Sequence, residues 1–251
     1  MAARIVLVTG AGQGVGQGIA LAFAAQGDTV LLAGRTAAKL ADTERLIEAR
    51  GQGTAAAIEC DVKSAESLNR MMADVAHRFG GLDILVNNAQ EVPNGELLTV
   101  EDAAFVAGFE SGPLAALRLM KLAQPMMAAR GGGVILNLVS SVIERWDMTG
   151  YGAYAATKAA IRSLTRAAAA EWGKDHIRVL NIAPHAESPG LKRWADNNPD
   201  EAAAFFRTIP LGRIGACEAD IGRAVVALCA PEMAYLTGAT VPLDGGQANF
   251  G

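Results

Sequence analysis

The stretch RIVLVTGAGQGVGQGIALAFAAQ, Arg4–Gln26, decides the fold. Its first six residues, RIVLVT, are a β-branched apolar run with no polar face, the pattern of a strand buried on both sides. Glycines follow at 10, 12, 14, 16 and 18. From Val15 to Gln26 apolar residues return every three to four positions in helix-forming composition, which predicts a helix. Strand, glycine turn and helix together form the opening unit of a parallel α/β sheet.

The same alternation continues outward. Apolar runs recur at TVLLAG (29–34), TAAAIEC (54–60), LDILVN (82–87), GVILNLVS (133–140), IRVLNIA (177–183) and ATVPL (239–243), so seven strands are expected. Between them, Ala37–Arg50, Ala65–Phe79, Val100–Ala129 and Ala153–Trp172 carry helical spacing. Doubly apolar strands separated by helices predict a Rossmann-like, doubly wound, seven-stranded parallel sheet with helices on both faces. Ligands of such sheets sit beyond the carboxyl ends of the strands. Only PHAESPGLKRWADNNPDEAAAFFRTIP, at about 184–210, breaks the alternation; its four prolines and short helical pieces suggest a substrate lid.

The 251 residues, half of them apolar, fit one domain spanning 1–251. A net charge of −4 with dispersed basic residues gives no footprint for nucleic acid. The cysteines, Cys60, Cys217 and Cys229, are odd in number and lack CxxC spacing, so no disulfide framework and no metal site is expected. The apolar run near the start is too short for a signal-peptide core, and no run approaches a membrane span. A soluble, cytoplasmic protein without membrane partners follows.

The glycine turn does not match GxGxxG; Gly10, Gly14 and Gly16 give TGxxxGxG instead. Its physics is that of an anion site, because glycines allow close approach and a helix N-terminus offers free N–H groups to a pyrophosphate. A ligand-free turn or a methyltransferase-type turn are the alternatives, and the position at the first strand–helix junction favours a dinucleotide. Nucleotide preference is read after the second strand, where an acid would bind the ribose 2′-OH. Here the residues are Gly34, Arg35 and Thr36. Without an acid, and with a guanidinium suited to a phosphate, NADP(H) is preferred, NAD(H) being the alternative.

YAATK places Tyr154 and Lys158 at i and i+4 on one helix face, with Tyr151 further away. An ammonium close to a phenol would lower its pKa from about 10 and make acid–base chemistry feasible near neutrality. Ser140 and Ser141 end the preceding strand at the ligand edge, where a hydroxyl can hold a substrate carbonyl or hydroxyl against the phenol.

Together these motifs resemble those of the short-chain dehydrogenase/reductase family, in its single-domain branch of about this length. TGAGQGVG (Thr9–Gly16) resembles TGxxxGxG, CDV (Cys60–Val62) the segment whose Asp contacts adenine, NNA (Asn87–Ala89) the NNAG motif, YAATK the YxxxK motif and VPLDGG (Val241–Gly246) the closing strand. The resemblance implies Tyr154 as general acid/base, Lys158 lowering its pKa and holding the nicotinamide ribose, and Ser141, thirteen residues before the tyrosine, orienting the substrate oxygen. It implies a cofactor site formed by Gly10, Gln13, Gly14, Val15, Gly16, Arg35, Asp61, Val62, Asn88, Ala89, Tyr154, Lys158 and Pro184. It also implies a homotetramer or homodimer built partly on the two long helices.

Three departures surround this set. The helix that carries an asparagine in many relatives has Gly112 at the matching position; NNAG has become NNAQ, with Gln90; and the glycine after Pro184 is His185. Gln90, Glu91, Val142, Trp146, Tyr151, His185 and Trp194 are candidates for the substrate pocket. The expected function is an NADP(H)-preferring oxidoreductase interconverting a small-molecule carbonyl and a secondary alcohol. The alternatives are a divergent dinucleotide-binding regulator or non-catalytic subunit and, within the enzyme class, a 3-oxoacyl thioester reductase.

Overall fold

In a computed structural model, which describes residues 3–145 and 148–248, seven strands form one sheet in the order β3-β2-β1-β4-β5-β6-β7, every pair parallel. The strands are β1 (Ile5–Thr9), β2 (Thr29–Gly34), β3 (Thr54–Glu59), β4 (Ile84–Asn87), β5 (Gly133–Leu138), β6 (Ile177–Pro184) and β7 (Thr240–Leu243). All seven apolar runs are strands. The order reverses between β1 and β4, and this topological switch point opens the crevice in which such sheets bind ligands.

Both faces are covered. Val6, Val8, Val30, Leu32, Val86, Leu136 and Leu180 pack on α1 (Gly14–Ala24), α2 (Ala37–Arg50) and α9 (Arg223–Leu228). Leu7, Leu31, Leu85, Ile135 and Val179 face α3 (Ala65–Phe79), α5 (Ala115–Ala129) and α6 (Gly152–Trp172). The period-two alternation of side chains sends successive residues of one strand into opposite cores. Local signals fix the helix ends: Ser64 Oγ accepts from Ser67 N at 3.1 Å to start α3, and Gly80, at φ 76°, ends it.

The expected helix Val100–Ala129 is three pieces. α4 (Asp102–Phe109) passes into a π-helical turn, Glu110–Leu114, and then into α5. Pro113 lies inside the wide turn, which relieves the clash and missing donor that a proline brings to an α-helix. The insertion at about 184–210 holds α7 (Pro189–Asn197) and α8 (Pro199–Phe206).

A polar ladder crosses the sheet interior at one register. Asn87, Asn137, Asn181 and Thr240 are partners on β4 to β7. Asn87 Nδ2 donates to Asn137 Oδ1 (2.8 Å), Asn137 Nδ2 to Thr165 Oγ1 (2.8 Å), Thr165 Oγ1 to Asn181 Oδ1 (2.6 Å) and Asn181 Nδ2 to Thr240 Oγ1 (3.2 Å). Buried amides remain in an apolar interior only when paired in this way.

Candidate functional site

The glycine turn is built for close approach. A Cβ at Gly16 would lie 2.4 Å from the Gly10 carbonyl oxygen, and one at Gly10, itself at φ 67°, would lie 2.6 Å from Asn88 Nδ2. Asn88 ties the turn to β4: its Nδ2 donates to Thr9 O at 2.7 Å, while Thr9 Oγ1 accepts from the backbone N–H of Asn88 and Ala89, each at 3.0 Å. Thr9, which sequence reasoning did not single out, therefore clamps the two loops at the switch point together. Its position immediately before Gly10 was the available signal.

A groove of about 510 Å³ runs from this turn across the sheet edge. It is lined by Gly10, Gln13, Gly14, Val15, Arg35, Asp61, Val62, Asn88, Ala89 and Gln90, which brings most of the expected cofactor residues together. Ser188, Pro189 and Arg193, from the 184–210 insertion, close its other side. Gly16 packs beneath it. Free N–H groups at the start of α1 and a backbone cradle that Cβ atoms would fill fit a dinucleotide pyrophosphate.

Arg35 and Lys39 line the groove just beyond β2. Arg35 Nη1 pairs with Glu91 Oε1 at 2.8 Å, and Lys63 Nζ reaches the same oxygen at 3.1 Å. Glu91 therefore belongs to the groove's charge cluster rather than to a substrate wall. Lys39 Nζ donates to Gln13 Oε1 at 2.7 Å. No acidic side chain follows β2 directly.

On α6, Lys158 is buried and donates to Leu138 O at 2.6 Å, its Nζ 5.4 Å from the centroid of the Tyr154 ring. Burial pulls the lysine down to about 7 and pushes Tyr154 up to about 12, with the Ser140 hydrogen bond opposing the rise. The lowering of the phenol expected from Lys158 is outweighed here: its Nζ bonds a backbone carbonyl, and loss of hydration dominates both groups.

The structure sets the two adjacent serines apart. Ser140, not Ser141, is hydrogen-bonded to Tyr154. Ser141 is buried and donates to Asp244 Oδ2 at 2.9 Å. Ser140 retains extended backbone (φ −151°, ψ 147°) beyond β5, whereas a 3-10 turn, Ser141–Ile143, begins at the next residue and carries Ser141 away. The thirteen-residue spacing misses this because it counts through the loop instead of from the strand.

Among the proposed pocket residues, His185 and Trp194 both pack on Phe205 of the lid, with ring centroids 5.1 and 5.8 Å away. Burial lowers the His185 pKa, Asp244 opposing and Arg145 adding to the shift. Tyr151 is 46% exposed at the start of α6. Val142 lies in the 3-10 turn, half-buried, and Pro184 ends β6. Trp146 lies outside the described residues. Gln90 is tied to α6 at the inner wall of the groove: its Nε2 donates to Thr157 Oγ1 at 2.6 Å, and its amide lies over Gly112.

The comparisons with known proteins agree with this architecture. A family model described as Enoyl-(Acyl carrier protein) reductase matches residues 10–248. The chain is 34% identical to a 12alpha-hydroxysteroid dehydrogenase of a Clostridium species, over 97% of this chain and 96% of the relative. A 7 alpha-hydroxysteroid dehydrogenase solved with NADH and 7-oxo glycochenodeoxycholic acid superposes with a TM-score of 0.90 at 31% identity, covering 97% of this chain and 93% of that one. The L-sorbose reductase of Gluconobacter frateurii, solved with NADPH and L-sorbose, gives 0.88 at 28% identity, covering 98% and 96%. With its seven-stranded parallel sheet, its TGxxxGxG turn and relatives aligned over nearly its whole length, the chain belongs to the short-chain dehydrogenase/reductase family, whose members are NAD(P)(H)-dependent oxidoreductases.

Proposed function

We propose that the protein is an NADP(H)-preferring oxidoreductase interconverting a carbonyl and a secondary alcohol, with Tyr154 as general acid/base, Lys158 beside it and Ser140, in place of Ser141, orienting the substrate oxygen. The observation that carries the reading is the Ser140–Tyr154 hydrogen bond one helical turn from buried Lys158, at the carboxyl edge of β5. When bound, the nicotinamide supplies the hydride. The phenol, held protonated by burial, gives its proton to the substrate oxygen in the reducing direction. In the oxidising direction the phenolate form must accept that proton, and a charged Lys158 would favour that form. Ser140 offers the substrate oxygen a second hydroxyl, and α7 and α8 shield the site from water.

Arg35 and Lys39 beside the groove, with no acid directly after β2 and with Glu91 already neutralised by Arg35 and Lys63, support NADP(H) over NAD(H). Relatives named for hydroxysteroid, galactitol and sorbose chemistry support a ring or chain secondary alcohol as the substrate class. Free thiols at Cys60, Cys217 and Cys229 suit a cytoplasmic setting. A homotetramer or homodimer is part of the same reading, supported by an apolar groove of about 370 Å³ along α4, the π turn, α5 and α6.

The test is turnover of NADPH and NADH, side by side, against ketosteroids, ketoses and 3-oxoacyl thioesters. Tyr154→Phe is expected to lower turnover by about 10²–10⁴ while the protein stays folded; near-normal turnover by that variant refutes the acid/base assignment. Tight NADPH binding without turnover on the whole panel would favour the regulator, and turnover of thioesters alone the 3-oxoacyl reductase. A kcat/KM ratio that does not favour NADPH would count against Arg35 as a phosphate reader.

A further inference from the structure

Behind the nucleotide groove lies a separate small cavity of about 10 Å³, walled by Asn87, Gln90, Ser111, Gly112, Leu138 and apolar side chains of α5 and α6. Two buried carboxamide oxygens, Asn87 Oδ1 and Gln90 Oε1, accept no hydrogen bond from any protein group among the described residues. Their amide nitrogens are committed elsewhere: Asn87 Nδ2 donates into the cross-sheet ladder and Gln90 Nε2 to Thr157. The ladder's bonds run with fixed polarity from Asn87 to Thr240, so its open acceptor falls at the cavity wall. The hydroxyls that line the cavity are committed too: Ser111 donates to Ala107 O at 2.6 Å and Thr9 to Val86 O at 3.3 Å.

Two unpaired acceptors on side chains that wall one cavity call for an occupant with two donors. A cavity near one probe sphere in volume admits a single water and nothing larger. We propose that one buried water sits there, donating one hydrogen to Asn87 Oδ1 and the other to Gln90 Oε1, and that Gln90 thereby acts as a positioning residue for the catalytic helix. The link is direct: Gln90 Nε2 donates to Thr157 Oγ1 at 2.6 Å, and Thr157 Oγ1 donates to Tyr154 O at 2.7 Å. Thr157 itself is fully buried, one residue before Lys158. The end of β4 is thus wired through water, carboxamide and hydroxyl to the turn of α6 that presents Tyr154 and Lys158.

Gly112 is the steric condition for this arrangement. A Cβ there would meet Gln90 Nε2 at 2.7 Å and Gln90 Cδ at 2.8 Å. The π turn that contains Gly112 and Ser111 supplies the wall against which the amide lies. Glutamine at 90 and glycine at 112, two separate departures in the sequence, form one interlocked unit in space.

The functional half of this inference rests on Tyr154 and Lys158 as the catalytic pair; the water does not. A crystal structure of the full chain, at a resolution that orders solvent, is expected to show one density peak within hydrogen-bond range of both oxygens, and in Gln90→Met that peak is expected to vanish. A dry cavity in the parent protein, or a peak unchanged in Gln90→Met, overturns the site. In kinetics, Gln90→Met and Gly112→Ala are each expected to lower kcat about tenfold to a hundredfold through misplacement of the reacting groups, with KM for the carbonyl substrate within about twofold. Because both act on one unit, the double variant is expected to be no worse than either single one. Unchanged kcat or multiplicative losses overturn the positioning role. The two readings fail separately: an active Tyr154→Phe removes the catalytic assignment and leaves the water, whereas a dry cavity with inactive Tyr154→Phe removes only this inference.

Discussion

At the scale of residues, adjacent serines have been given different work by one change of backbone direction. Ser140, still extended beyond β5, reaches Tyr154, whereas Ser141, in the 3-10 turn, reaches Asp244. Ser140→Ala is expected to lower kcat about 10²-fold, the lower end for a positioned proton-transfer group. Ser141→Ala leaves Asp244 bonded by Gly246 N and Ala248 N, each at 3.0 Å. It is expected to lower stability by about 1 kcal/mol through loss of one hydrogen bond, with turnover near the parent value. Steady-state kinetics and thermal melts of the two variants check both; the reverse ranking would return the role to Ser141. The adjacency of Tyr154 and Lys158 was legible in sequence because i, i+4 spacing on a helix is rigid geometry. The serine was not, because a loop of unspecified shape separates it from the tyrosine. Thr157 was invisible for a related reason: its importance lies in a bond to Gln90, sixty-seven positions away in the chain.

At the scale of elements, α6 carries a buried amine within its own hydrophobic face. Burial takes Lys158 from 10.5 down to about 7, so between those values the unfolded chain holds a proton that the folded chain lacks. Stability from this group therefore rises with pH from about 7 to 10.5 and is at its lowest below 7. Lys158→Met removes that slope. At pH 7 the variant is expected to melt above the parent, by about 1–2 kcal/mol in stability, and to lack turnover, and the gap should narrow as the melts approach pH 9.5. A variant less stable at pH 7, or a constant gap, would show that the desolvation of Lys158 is not what its site opposes. The regular helices α2 and α3 came out at the expected bounds because capping and periodicity are local. The break at Glu110–Leu114 was hidden, since Pro113 alone does not say whether a helix ends, kinks or widens.

At the scale of the whole molecule, the parallel sheet was legible from end to end because strands apolar on both faces leave few alternatives. The groove at the switch point followed from topology, while the packing of His185 and Trp194 on Phe205 depended on the path of the 184–210 insertion, which sequence does not dictate. The exposed apolar side chains of one face, Phe105, Val106 and Leu114, lie along α4 and the π turn. If this face joins copies of the chain, Leu114→Glu is expected to shift the protein to monomer in sedimentation or light scattering, since an unpaired charge would be buried in the contact. A parent protein that is itself monomeric would leave that face without this role. The amide ladder from Asn87 to Thr240 joins strands laid down far apart in the chain, and a one-residue slip of any of them would turn its polar side chain to the opposite face. The ladder therefore penalises misregister: a slipped strand would leave amides unpaired in an apolar interior, so the native alignment is the one in which all four strands keep their polar partners.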